Sequence, residues 1–283
     1  MLKVLIVEGN VKELRDKTQK MGLLSQSNLF ENVLNSLASD LECTIAYPTE
    51  DGSLLPSREE LVLFDGIVWT GSALNIYNRS PSVIRQIDFM KKLFEEDVKI
   101  FGSCWGLQVA VVAAGGDVSA NDKGREIGIA RDINVTNEGK GHPLYIGKPE
   151  KFDAVAIHLD HVVKLPEGST ILSENGISSV QGIEIKKGKS IFWGVQYHPE
   201  FDLEYIAGLI NRYSNTIIEE GICADEKSVK AWANDFVEIH YGKGGGTLVK
   251  KYALSEDVLM SNCRLKELSN WLSFLRAGSG ESK

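Results

Sequence analysis

Through the first two hundred residues, short β-rich apolar runs alternate with segments whose apolar residues recur every three or four positions. That alternation leaves few architectures open, because it is the pattern of βαβ units stacked around a sheet whose strands run mostly parallel. The runs at 3–7, 43–47, 66–70 and 98–102 read as buried strands. Between them, 28–38 carries Leu29, Phe30, Val33, Leu34 and Leu37 on one helical face, and 82–95 carries Val83, Ile87, Met90 and Phe94. A third helix at 105–114 is apolar enough to be buried. After Gly115-Gly116 the texture changes to strands at 128–135, 154–158, 179–185 and 190–196, with Lys186-Lys-Gly-Lys189 as a solvated hairpin turn. The expected fold is α/β, a three-layer αβα sandwich.

Beyond Asn211 the chain turns helical, at 226–240 and again at 255–276, so a helical C-terminal extension over 216–283 is expected to follow a main domain over 1–215. In the last segment Val258, Leu265, Leu268, Leu272 and Leu275 form one stripe, with Ser255 as N-cap and Gly278 as stop. Such a stripe needs a partner, either the main domain or a second subunit, so a homodimer stays open. The intervening Gly242-Lys-Gly-Gly-Gly-Thr247 lacks the spacing and preceding strand of a phosphate loop and reads as a hinge.

Composition removes several classes of function. A formal charge of −8, from 31 Lys+Arg against 39 Asp+Glu, leaves no basic footprint for nucleic acid. The longest uncharged stretch, 100–116, is too short and too polar to span a bilayer. The N-terminus reads as a strand rather than a secretory signal. Cys43, Cys104, Cys223 and Cys263 are scattered, with neither disulfide nor zinc spacing, so a reducing cytoplasm is expected. No metal or other cofactor is expected, because the thiol, imidazole and backbone amides described next suffice for the chemistry.

The chemistry concentrates at Gly102-Ser-Cys104-Trp-Gly106, where a strand ends and a helix begins at once. This is the layout of a nucleophile elbow with a thiol in place of a hydroxyl. A helix N-terminus also lowers a thiol's pKa, so an activated Cys104 is expected. A thiolate nucleophile needs a base, and the base an orienting acceptor. Gly194-Val-Gln-Tyr-His198-Pro-Glu200 offers both, since residues two apart on an extended chain point the same way. His158 and Asp160 share that spacing.

Taken together, Gly102-Ser-Cys-Trp-Gly-Leu-Gln108 and Gly194-Val-Gln-Tyr-His-Pro-Glu200 resemble the paired signatures of class I glutamine amidotransferase domains. Thr70-Gly-Ser-Ala-Leu-Asn-Ile-Tyr77 is similar to the oxyanion loop of the GMP-synthetase glutaminase domains, and His158-Leu-Asp-His-Val162 to their His-x-Asp-x-Val element. The likeness covers roughly residues 1–215 and implies a flavodoxin-like sheet. It also implies a Cys104–His198–Glu200 triad acting through a γ-glutamyl thioester, with oxyanion amides from Trp105 and the Gly71-Ser72 loop. Gln108, Tyr77, His158 and Asp160 would then lie around the glutamyl group, Asp160 either pairing with its α-ammonium or serving as a structural ion pair. Ser72 departs from the commoner second glycine, and Ile157 from a frequent serine. No Walker motif or S-G-G-x-D-S loop follows, and the remaining tail is too short for a synthetase module. Three readings stay open: a stand-alone γ-glutamyl hydrolase or peptidase, with transfer to other amines as a side reaction; a glutaminase subunit serving a separate synthetase; and a non-catalytic binding protein on the same fold. The intact triad favours the first two.

Overall fold

Along the first strand, Leu5 and Val7 face one side of a sheet while Val4 and Ile6 face the other, all four with no exposed surface, so this strand is covered by helices on both sides. The computed structural model describes residues 1–279. The amino-terminal half runs β1 (Leu2–Val7), α1 (Lys12–Lys20), α2 (Gln26–Leu37), β2 (Leu41–Ala46), α3 (Arg58–Leu61), β3 (Gly66–Trp69), α4 (Pro81–Phe94), β4 (Lys99–Ser103) and α5 (Trp105–Ala114). Strands then dominate: β5 (Asp117–Ala120), β6 (Glu126–Val135), β7 (Lys151–His158), β8 (Asp160–Lys164), β9 (Ser169–Glu174), β10 (Gly182–Lys187) and β11 (Ser190–Val195). The chain closes with α6 (Leu203–Arg212), α7 (Ser214–Glu219), α8 (Glu226–His240), α9 (Gly245–Lys251), α10 (Glu256–Leu259), α11 (Ser261–Arg264) and α12 (Lys266–Ser279).

Nine strands form one sheet in the order β2-β1-β3-β4-β11-β10-β9-β6-β7, while β5 and β8 make a separate ribbon. The block β2-β1-β3-β4-β11 is parallel and the remainder antiparallel. Helices α4 and α5 cover one face. On the other, α2 lies beside α12, whose Leu268, Trp271, Leu272 and Leu275 are buried against Val4, Val68, Phe101 and Trp193. The three-layer expectation therefore holds. A third apolar cluster joins α6, α8 and α10 to Val155 of β7. Among the described residues, no helix is long and apolar enough to cross a membrane.

Several local expectations need correction. The segment 255–276 is not one helix: Met260 is extended (φ −94°, ψ 119°), and the chain restarts at Ser261 and again at Lys266. Gly278 does not stop it, because α12 continues to Ser279. The glycine-rich hinge is a turn followed at once by α9, which begins at Gly245. Helix α6 starts at Leu203, well before Asn211, and the expected boundary after residue 215 falls inside α7. The hairpin turn stands where the sequence placed it, with Gly188 at φ 62° between paired Lys187 and Ser190, although β10 begins at Gly182 rather than 179.

Candidate active site

Strands β4 and β11 are parallel neighbours with Ser103 opposite Val195, so Cys104 and His198 both leave the sheet at the carboxyl ends of adjacent strands. Open α/β sheets bind ligands at that edge. Cys104 turns the chain from β4 into α5 at φ 48° and ψ −97°, a conformation that costs a non-glycine residue on the order of 1–3 kcal/mol. Its amide donates to the Val195 carbonyl at 2.7 Å, which ties the elbow to the strand leading to His198. Gly106 is required by close approach: a Cβ there would lie 2.7 Å from the Trp69 carbonyl oxygen.

His198 is buried, its ring stacked on Phe201 at 3.9 Å between centroids with 4° between planes. Nδ1 lies 2.7 Å from Oε1 of Glu200, and because a carboxylate only accepts, Nδ1 carries the hydrogen and Nε2 is left to act as base. The Ser103 hydroxyl donates to the same Glu200 oxygen at 2.9 Å. The Gly71 loop passes directly over this ring, since a Cβ on Gly71 would stand 2.7 Å from His198 Cε1 and from Gln26 Oε1.

The thiol itself departs from expectation. Burial pushes the Cys104 pKa up, Glu200 and Asp160 add to the rise, and the Trp105 amide offsets only part of it. The helix N-terminus loses to desolvation, so burial here favours the protonated thiol over the thiolate.

Cys104, His198, Gln108, His158, Asp160 and Ser72 all line one cavity of about 140 Å³. At about 30 Å³ per water, that is the room of an amino-acid-sized group. Among the described residues Asp160 is the one carboxylate lining the cavity, and its oxygens accept from Asn75 Nδ2 at 3.1 Å and the Tyr77 hydroxyl at 3.3 Å. Both donors are neutral, which leaves its charge uncompensated by these two contacts. Gln108 Nε2 reaches the Asp160 carbonyl at 3.4 Å. His158 does not use the carboxylate two residues on: Nδ1 faces the Asp160 carbonyl at 3.1 Å, and Nε2 faces Glu126 Oε2 at 3.0 Å. Burial works against the charge on Glu126, yet the contacts from His158, Asn175 and Gln181 outweigh it and hold its pKa low.

Sequence reasoning missed Ser103, which stood in the motif as a spacer, and Asn75, although it lies inside the loop that was singled out. It also missed Arg125 and Arg212 at the cavity wall. Arg125 is engaged by Glu220 through paired contacts, whereas Arg212 donates to the neutral Thr18 hydroxyl at 2.8 Å. Among the described residues, no cluster of His, Cys, Asp and Glu is placed to hold a metal ion.

The gamma-glutamyl-L-1-hydroxyisopropylamide hydrolase of a Pseudomonas species is 34% identical, over 97% of this chain and 93% of its own length. Gamma-glutamyl peptidase 4 of Arabidopsis thaliana is 28% identical over 65% of this chain and 72% of its own. The fold is shared with a glutamine amidotransferase of Thermotoga maritima, at a TM-score of 0.60 and 15% identity, covering 97% of each chain. Residues 27–207 match the family described as glutamine amidotransferase class-I, and the chain belongs to that family.

Proposed function

We propose that this chain hydrolyses γ-glutamyl amides on its own, releasing glutamate and a small amine. The observation that carries this reading is the opening of Cys104, His198 and Asp160 onto one amino-acid-sized cavity. The catalytic unit runs from β1 through α7, with helices α8 to α12 packed on it.

Asp160 receives the substrate's α-ammonium, framed by Asn75 and Tyr77, with Gln108 and His158 holding the Asp160 backbone in place. His198 Nε2 takes the thiol proton as Cys104 sulfur attacks the γ-carbonyl carbon. Negative charge gathers on the carbonyl oxygen, where the Trp105 amide and one from the Gly71-Ser72 loop stabilise it. The C–N bond then breaks, His198 gives its proton to the departing amine, and a γ-glutamyl thioester remains. Water, deprotonated by His198, cleaves the thioester to glutamate and regenerates the thiol. An amine entering in place of water would yield γ-glutamyl transfer. Glu200 keeps the imidazole in one tautomer and supports its charged form throughout.

The likeness to the Pseudomonas hydrolase runs through nearly the whole chain, tail included, which favours a stand-alone enzyme over a glutaminase subunit awaiting a synthetase. That relative's name points to a hydroxyalkyl amine as leaving group. The test is glutamate release from L-glutamine, γ-glutamyl hydroxyalkylamides and γ-glutamyl dipeptides, with Cys104→Ala as control. Turnover of an amide or dipeptide well above glutamine, lost in the variant, is expected. Turnover of none of them by the unaltered chain would overturn the reading.

A further inference from the structure

The residue before His198 is tied to the C-terminal helix by a buried charged group. The Tyr197 hydroxyl donates to Glu267 Oε1 at 2.7 Å, and Lys148 Nζ lies 2.8 Å from the same oxygen. The Lys148 and Glu267 side chains are 3% and 0% exposed, and Tyr197 has no exposed surface. The Tyr145 hydroxyl stands 3.2 Å from that of Tyr197 and 2.7 Å from Ser173 Oγ, which extends the network towards β9. A second contact comes from the same segment: Arg264 Nη1 donates to the carbonyl of Pro199, between His198 and Glu200, at 3.4 Å. The chain carrying the base is thus held just before and just after His198 by residues of α11 and α12.

Packing alone does not explain this arrangement. Phe152 already meets the Tyr197 ring edge-on at 5.6 Å, and α12 has an apolar stripe to seat it on the sheet. An ion pair sealed from water costs desolvation that apolar residues of like volume avoid, so such a pair is weak support for a purely stabilising role. What it does supply is direction, because a charged acceptor holds the Tyr197 hydroxyl more strongly than the neutral Tyr145 hydroxyl beside it.

We propose that Glu267 is a positioning residue for catalysis, acting through the Tyr197 hydroxyl to fix the backbone that presents His198 to Cys104. The C-terminal helix then belongs to the framework of the active site. This rests on the reading of His198 as the base.

Three variants separate the tie from the packing: Tyr197→Phe, the pair Lys148→Met with Glu267→Gln, and the pair Lys148→Met with Glu267→Leu. Both pairs remove the buried charges, but only glutamine keeps an acceptor for Tyr197. The readouts are kcat and KM on L-γ-glutamyl-p-nitroanilide, thermal midpoint, and the rate of Cys104 alkylation by iodoacetamide followed by peptide mass. Tyr197→Phe and the leucine pair are expected to lose kcat by about tenfold or more, since small misplacements of reacting groups carry penalties of up to about 10²-fold. Their KM should stay within about twofold, Cys104 alkylation should slow in parallel, and the glutamine pair should recover most of the kcat. Equal kcat in the glutamine and leucine pairs, or a Tyr197→Phe enzyme within twofold of the unaltered chain, would overturn the proposal. If the unaltered chain cleaves no γ-glutamyl compound, the functional reading fails instead. The alkylation rates, which need no substrate, then decide the positioning role by the same comparison.

Discussion

Oε1 of Glu200 lies 2.7 Å from His198 Nδ1 and accepts the Ser103 hydroxyl as well, so the carboxylate is anchored to the strand end that carries Cys104. Glu200→Gln puts an amide where the carboxylate stood, with one end able to donate, and allows the imidazole to adopt the wrong tautomer. The expected result is a fall in kcat of about 10⁴-fold with the fold intact, by analogy with the aspartate-to-asparagine change in serine-protease triads. A kcat within tenfold of the unaltered enzyme would remove Glu200 from the triad.

Asp160 meets neutral donors from Asn75 and Tyr77, and among the described residues no other carboxylate lines the cavity. Asp160→Asn preserves size and loses the charge that an ammonium requires. A hydrogen bond to a charged group contributes about 1.5–3 kcal/mol, so KM for a γ-glutamyl amide should rise roughly 10- to 100-fold with kcat little changed. Unchanged KM would assign Asp160 a structural role instead.

Gly66 in β3 lies directly under α12, where a Cβ would come within 2.6 Å of Leu275 and 2.7 Å of Trp271. Gly66→Ala should destabilise the protein by about 1–3 kcal/mol, the usual penalty of overpacking, as read by urea unfolding. Deleting residues 226–283 is the larger perturbation and uncovers the sheet beneath Leu268, Leu272 and Leu275. Loss of solubility or a change in oligomeric mass is expected. A soluble, fully active monomer would contradict the placement of this helix.

Glu184 provides the pH test. Burial opposes its ionisation, but contacts from His142, Lys186 and Trp193 outweigh that and bring its pKa down from 4.5 to about 2. A carboxylate with a lowered folded-state pKa stabilises the fold above its unfolded value and loses that contribution as pH falls through the folded one. Glu184→Gln should therefore cost about 1–3 kcal/mol at pH 7, with the gap to the unaltered chain narrowing from about pH 4.5 down towards pH 2. A gap independent of pH across that range would show that the charge contributes nothing.

Much of this was legible in the sequence because parallel strands covered on both faces appear as uninterrupted apolar runs, and the expected strands near 3–7, 66–70 and 98–102 are β1, β3 and β4. Helix α1 was not legible: Lys12–Lys20 has Leu14 as its one apolar residue, too little for a periodic signal. The break at Met260 was hidden because the apolar spacing continues across it. At the site, the Cys104 and His198 motifs stood out through strand-end position and spacing. The attachment of Tyr197 to Glu267 and Lys148 did not, because it joins residues far apart in sequence that only the folded chain brings together. The raised Cys104 pKa was missed for a related reason, since a motif identifies the helix N-terminus but carries no measure of how deeply the thiol is buried.

The most direct measurement is the mass of the chain quenched in acid during turnover of a γ-glutamyl amide, followed by peptide mapping. A γ-glutamyl adduct on the peptide containing Cys104, absent from Cys104→Ala and accumulating to a greater fraction of the enzyme when a good leaving amine makes acylation fast, is the expected result. Turnover that persists in Cys104→Ala, or an adduct mapped to Cys43, Cys223 or Cys263, would contradict the thioester route.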